Sequence, residues 1–233
     1  METEIPAMLR ARELIRPERF SFHGSRMRMK KVEKHELAAM DGESDRCALE
    51  LSDAAVDVLG YACLVAIMAM GHGYHRQSEA RLTEVTKGNN APAPVVTSAG
   101  ALIDALQTMR ARKIVVVTPY MQPLTDLVVD YIAHEGFEVI DSVALQIPDN
   151  LDVARHDEQR LPGIVSSLNY ADADVIVLSA CVQMPSLAVV PQVEALTGKP
   201  VVTAAVATTY SLLRSLGLEP IVPGAGALLS GAY

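Results

Sequence analysis

The sequence predicts an α/β fold with mostly parallel sheets, arranged as two similar doubly wound halves. Three observations predict it. An apolar run ending in a cysteine occurs twice, as Asp57-Val58-Leu59-Gly60-Tyr61-Ala62-Cys63 and as Asp174-Val175-Ile176-Val177-Leu178-Ser179-Ala180-Cys181. Each run is followed, at a different interval, by an echo: Pro94-Val95-Val96-Thr97-Ser98-Ala99 and Pro200-Val201-Val202-Thr203-Ala204-Ala205. Half of the 233 residues are hydrophobic, yet only 4% are aromatic and none is Trp. The core must then be Val, Ile, Leu, Ala and Met, which suits a parallel sheet buried on both faces by helices.

The elements follow in order. Ile5, Met8, Leu9 and Ile15 have near-helical spacing before Pro17, so residues 1–16 read as an amphipathic helix. Residues 19–29 alternate partly and carry Phe20 and Phe22, which predicts a strand. Its basic cluster Arg26 to Lys31 reads as a solvated strand edge. Residues 34–52 read as one helix, with Cys47 on its apolar side as plain core. Val56 to Gly60 is a buried strand, and Leu64 to Met70 the helix behind Cys63. The stretch from Gly71 to Asn90 contains His72 and His75. A metal site would need a third ligand nearby, and Gly73 breaks any i, i+4 spacing, so a mobile segment or lid is expected. Val95 to Thr97 is a strand, and Ser98 can cap a helix running to Arg112.

A strand at 113–118, a helix at 122–134 stopped by Gly136, and a strand at 137–140 come next. Residues 145–150 leave that strand as a loop. A helix near 161–168, a strand at 175–179 and a helix at 185–196 closed by Gly198 follow. The chain then forms a strand at 201–203, a helix at 206–216 and a Gly- and Ala-rich tail that packs back closely. Such alternation implies right-handed connections and parallel pairing. The halves are placed at 1–97 with 205–233, and at 98–204.

The net charge of −8 argues against a nucleic-acid or anionic-membrane partner. Three cysteines offer neither a disulfide framework nor a CxxC zinc pattern, which fits a reducing cytoplasm. No signal peptide is visible. The apolar stretch 58–70 is shorter than the ~18 residues of a membrane span. A soluble cytoplasmic protein is expected.

In open parallel sheets ligands bind beyond the carboxyl ends of the strands, and both Cys63 and Cys181 fall there, each before a helix. A helix N-terminus lowers a thiol's pKa, and its N–H groups can hold a carboxylate without any arginine. Two thiols flanking one small anion could share the work of nucleophile or base and proton donor.

At these residues the chain resembles a known family. Tyr61-Ala62-Cys63-Leu64, Thr118-Pro119-Tyr120, the run from Leu178 to Leu187 and the tail from Pro223 to Leu229 are similar to the Asp/Glu racemase superfamily, and within it to the maleate cis-trans isomerases. The resemblance spans the whole chain. It implies two pseudo-symmetric halves with the site between them, no cofactor and usually a homodimer; no metal is expected, for want of a third ligand. It further implies that Cys63 adds to the double bond of maleate as a thiolate, giving a succinyl-like adduct that rotates and eliminates fumarate. Cys181 would donate and recover the proton. Tyr120 and Asn150 would hydrogen-bond the carboxylates, and Leu64, Val65, Val182 and Gln183 would line the substrate. A racemase using both thiols as acid and base is the alternative reading, as is a chain that binds a dicarboxylate without turnover. One departure is visible. The family opens with a buried strand whose following loop carries a carboxylate-binding Asn, whereas this sequence starts at the first helix. The expectation is a first half lacking its opening strand.

Overall fold

The structure, a computed structural model, describes residues 2–233. Helix α1 (Glu4–Arg12) places an acid in its first turn and two arginines in its last, matching the helix dipole. Its apolar face, Ile5, Met8 and Leu9, is buried. The strand expected over 19–29 does not form; residues 18–30 run without regular structure. Phe20, Met27 and Met29 do pack on the core, which produces the alternation, but no strand lies alongside to form a ladder. Next to this segment Lys31 makes an isolated bridge to Asp149.

The single helix expected over 34–52 is two: α2 (Lys34–Gly42) and α3 (Ser44–Ser52). At the break Ser44 Oγ donates to the Asp41 carbonyl at 2.6 Å, so a side chain competes with the helical ladder. Strand β1 (Leu59–Tyr61) starts later than expected and leads to α4 (Leu64–Ala69). The segment expected to be a lid is instead the 15-residue helix α5 (Tyr74–Gly88). Its inward face is His75, Ser78, Leu82 and Thr86, too polar to show as an apolar stripe. Strand β2 (Val95–Thr97) pairs in parallel with β1, Gly60 opposite Val96, and this two-stranded sheet is separate from the second.

The second sheet is built from β3 (Lys113–Thr118), β4 (Glu138–Ala144), β5 (Val175–Ser179) and β6 (Val201–Thr203), in the order β4-β3-β5-β6. Every pairing is parallel. Strand period two sends Ile114, Val116, Val175, Val177 and Val202 into one core, and Val115, Val117, Ile176, Leu178 and Val201 into another. Each fully buried Val or Ile contributes roughly 1.5–3 kcal/mol, so the sheet is clamped from both faces. The first core is continuous with that of β1 and α4.

The helices between these strands are α6 (Ser98–Thr108), α7 (Gln122–His134), α8 (Asn150–Ala154), α9 (Leu161–Ser166), α10 (Val190–Thr197) and α11 (Ala204–Ser215). The Val-Val-Thr echo has a structural meaning. Thr97, rather than Ser98, caps α6 by accepting from Gly100 N at 3.0 Å, and Thr203 caps α11 by accepting from Val206 N at 3.1 Å. The two helices so launched pack against each other. Gly198, at φ 65°, ends α10 as expected. In the tail, a Cβ on Gly226 would stand 2.6 Å from Val190 Cγ1, so only glycine lets this segment close on α10. Among the described residues no helix is long and apolar enough to cross a membrane.

Candidate active site

Each of the two cysteines leaves a strand at its carboxyl end. Cys63 follows β1 by one residue and is the N-cap of α4. Its sulfur accepts the Ala66 N–H. Cys181 follows β5 by one residue, in a turn that folds back on it. Its sulfur accepts the N–H groups of Gln183 and Met184 and the hydroxyl of Tyr120, and Ser179 Oγ donates to its carbonyl at 2.8 Å. Both cysteines are free; each residue keeps part of its surface exposed while its sulfur is buried.

Tyr120 ties the pair together. Its ring is buried, and its hydroxyl lies 3.0 Å from the Ala180 carbonyl. That hydroxyl has one proton, so it donates either to Ala180 or to Cys181, and in the first case can accept from the thiol. Burial pushes the Tyr120 hydroxyl well above its ordinary value, and negative charge on Cys181 and on Cys63 pushes it further. Burial drives Cys63 up to about 12; the Ala66 N–H opposes this and the nearby Cys181 adds to it. Cys181 is raised by burial too, against the two N–H groups and Tyr120. The three groups therefore form one electrostatic unit that rests protonated, with Cys181 the better supplied with donors to a thiolate.

A cavity of about 1050 Å³ opens beside this unit. Cys63, Asn150 and Gln183 line it, together with the free edge of β1. Gln183 Nε2 donates to the Asn150 carbonyl, joining the Cys181 turn to the start of α8. Cys181, Tyr120, Leu64, Val65 and Val182 do not line the cavity, and all of these but Cys181 are buried residues. Leu64 and Val65 are in the first turn of α4, where backbone N–H groups have no acceptor within the helix. The basic cluster read as a solvated strand edge lies along the mouth, with Arg26, Arg28 and Lys30 exposed between buried-side methionines.

Two features of the site are missing from the sequence reading. Asp41 is buried and accepts the hydroxyls of Tyr61 and Tyr74 at 3.2 and 2.5 Å, with Arg81 Nη2 at 3.3 Å. This anchors the strand that delivers Cys63. Glu4 lines the cavity and binds the chain beyond Cys181. The histidines have other partners. His72 Nε2 is 2.7 Å from Asp130, and His75 Nδ1 is 2.5 Å from the Tyr131 hydroxyl. Among the described residues no group of three or more His, Cys, Asp or Glu is placed to hold a metal ion.

Parallel sheets with a thiol beyond a carboxyl edge of each define an α/β enzyme with its site at the strand ends, and the family model described as Amdase, arylmalonate decarboxylase, matches residues 8–229. Closer relatives narrow this. A maleate isomerase of Pseudomonas putida is 72% identical over 233 residues, covering 100% of this chain and 93% of its own. The chain belongs to the maleate isomerase family. Among solved structures, an alanine-for-cysteine variant of a Pseudomonas putida maleate isomerase with maleate superposes at TM-score 0.99, with 66% identity over 100% of this chain and 93% of that one. A serine-for-cysteine variant of Nocardia farcinica maleate cis-trans isomerase, bearing a covalently bound succinylcysteine intermediate, superposes at 0.95, with 43% identity over 100% and 94%.

Proposed function

We propose that this protein isomerises maleate to fumarate through a covalent adduct on Cys63. The observation that supports this best is the pairing of Cys63 and Cys181 about Tyr120 beside one cavity, in a chain 72% identical to a maleate isomerase. In the reactive form the two thiols share one proton, Cys63 as thiolate and Cys181 as thiol. The Cys63 sulfur forms a bond to one alkene carbon. The π electron pair moves to the neighbouring carbon, which takes the Cys181 proton. The former double bond is now single and rotates. The Cys181 thiolate then takes the proton back, the electron pair re-forms the double bond, and the carbon–sulfur bond breaks to return the Cys63 thiolate.

In this reading Tyr120 and Asn150 bind the carboxylates, and Leu64, Val65, Val182 and Gln183 complete the pocket. The reaction is redox-neutral and uses no cofactor. The halves are 1–97 with 205–233 and 98–204, the site lies between them, and the enzyme works as a cytoplasmic homodimer. The test is fumarate formation from maleate by purified protein without added cofactor or metal, followed by absorbance or NMR. Loss of optical rotation from L-aspartate with maleate left unchanged would overturn the proposal in favour of a racemase.

A further inference from the structure

Glu4 stands at the start of α1, in sequence 177 positions before Cys181 by their numbers, yet it holds the turn that follows this cysteine. A single oxygen, Oε1, accepts both Ser186 N and Leu187 N at 2.6 Å. One residue, Pro185, separates them from Gln183 and Met184, whose N–H groups point at the Cys181 sulfur. The turn is thus fixed at one end by β5 and at the other by Glu4. Its middle carries the thiol's hydrogen-bond donors.

The clamp is mounted on a rigid base. At the far end of α1 the buried Arg12 donates to the carbonyls of Glu219 and Ile221 at 2.6 and 2.9 Å and pairs with Glu18 at 3.2 Å. The helix between is packed along Ile5, Met8 and Leu9, and α1 lies against α11. A side chain with its carboxylate buried, on a helix held at both ends, has little freedom to follow a moving loop. Each hydrogen bond to an ionised carboxylate is also about twice as strong as its neutral counterpart.

We propose that Glu4 is a positioning residue for the isomerisation, setting the ionisation and aim of Cys181 through the Ser186–Leu187 backbone. It touches neither thiol. Its second oxygen, Oε2, is buried with no hydrogen-bond partner, so Glu4→Gln loses no bond there while its amide oxygen can still accept both N–H groups. Glu4→Ala removes the clamp, and Glu4→Asp shortens the arm by one methylene without disturbing the helix start. The turnover part of the proposal rests on the isomerase reading; the thiol part does not.

The experiment alkylates each protein with iodoacetamide across pH and maps the label on Cys63 and Cys181 by mass spectrometry, alongside maleate kinetics. Among the described residues the groups facing the Cys181 sulfur are Tyr120, Cys63 and the N–H donors of Gln183 and Met184, and only the last two are held by the clamp. In Glu4→Ala, or in Glu4→Asp should Glu4→Ala not fold, the Cys181 labelling profile moves to higher pH and kcat falls about tenfold or more. The Cys63 profile stays in place. Glu4→Gln keeps both bonds in their weaker neutral form and restores the Cys181 profile and kcat in part, to between Glu4→Ala and the parent. A Cys181 profile that stays with that of Cys63 in the variants, whatever the loss of melting temperature, would overturn the proposal. A shifted Cys181 profile in a protein that never converts maleate would keep Glu4's role and sink the isomerase reading instead.

Discussion

The Tyr61 hydroxyl donates to the buried carboxylate of Asp41 at 3.2 Å, linking the strand that delivers Cys63 to the second helix of the chain. Tyr74 and Arg81 converge on the same carboxylate. Asp41→Ala removes the shared acceptor and leaves two tyrosine hydroxyls to find others. We expect a loss of about 2–4 kcal/mol by urea unfolding. Tyr61→Phe removes one bond and should lose about 1 kcal/mol. An Asp41→Ala protein as stable as the parent would show that this junction does not hold β1.

Replacing either thiol should abolish turnover while leaving the fold intact. Cys63 and Cys181 are both partly exposed, and Cys→Ala removes one atom from each. Cys181→Ala keeps the nucleophile but lacks the proton donor, so its adduct should decay slowly. Intact-protein mass spectrometry after maleate should then show added mass mapping to Cys63. Mapping to any other residue would reverse the assignment of roles.

Tyr120→Phe tests the group between the thiols. Removing the hydroxyl leaves the buried Ala180 carbonyl without its 3.0 Å donor, at a cost of about 1–3 kcal/mol. It also takes away the hydroxyl that stands beside the Cys181 sulfur. A fall in kcat of roughly 100-fold is expected, measured beside the melting curve. Activity near that of the parent would remove Tyr120 from the mechanism.

The thiols set an alkaline limit. Cys63 is raised from its ordinary value near 9 to about 12 in the fold, through burial. A group with a raised folded pKa contributes stability that is complete below its unfolded pKa and is lost as pH rises toward the folded value. Melting temperature should therefore hold up to about pH 8.5 and decline above it, less steeply in Cys63→Ala. Parallel curves for the two proteins would contradict this. By the same ionisation, log kcat/KM for maleate should climb with pH from about 7 to 9, because the addition needs a thiolate and the resting pair is protonated.

How much of this could be seen in the sequence depends on what each residue packs against. Lys113–Thr118, Val175–Ser179 and Val201–Thr203 were legible as strands because both faces of their sheet are buried, leaving unbroken apolar runs. Helix α5 was hidden because Ser78 and Thr86 take inward positions where Leu or Val would normally announce a stripe. Around Met27 and Met29 the alternation was real but reported burial of one face, which an extended strap shares with a strand. The paired cysteines stood out by repetition. Tyr120 and Asn150 were indicated only by family resemblance. Glu4 gave no signal, since an acid in the first turn of an amphipathic helix is the commonest of solvated residues, and only its acceptance of Ser186 N and Leu187 N distinguishes it.

The grip of Arg12 on the carbonyls of Glu219 and Ile221 spans 207 and 209 positions. On a ribosome adding ~5–20 residues per second, the nascent helix α1 waits roughly 10–40 s for those acceptors to be made. Until then Ile5, Met8 and Leu9 have no partner surface on α11 and present an apolar stripe to whatever chaperone attends the exit tunnel. Helix α1 is thus among the last elements to dock, and catalytic competence waits until the segment around Glu219 and Ile221 is released.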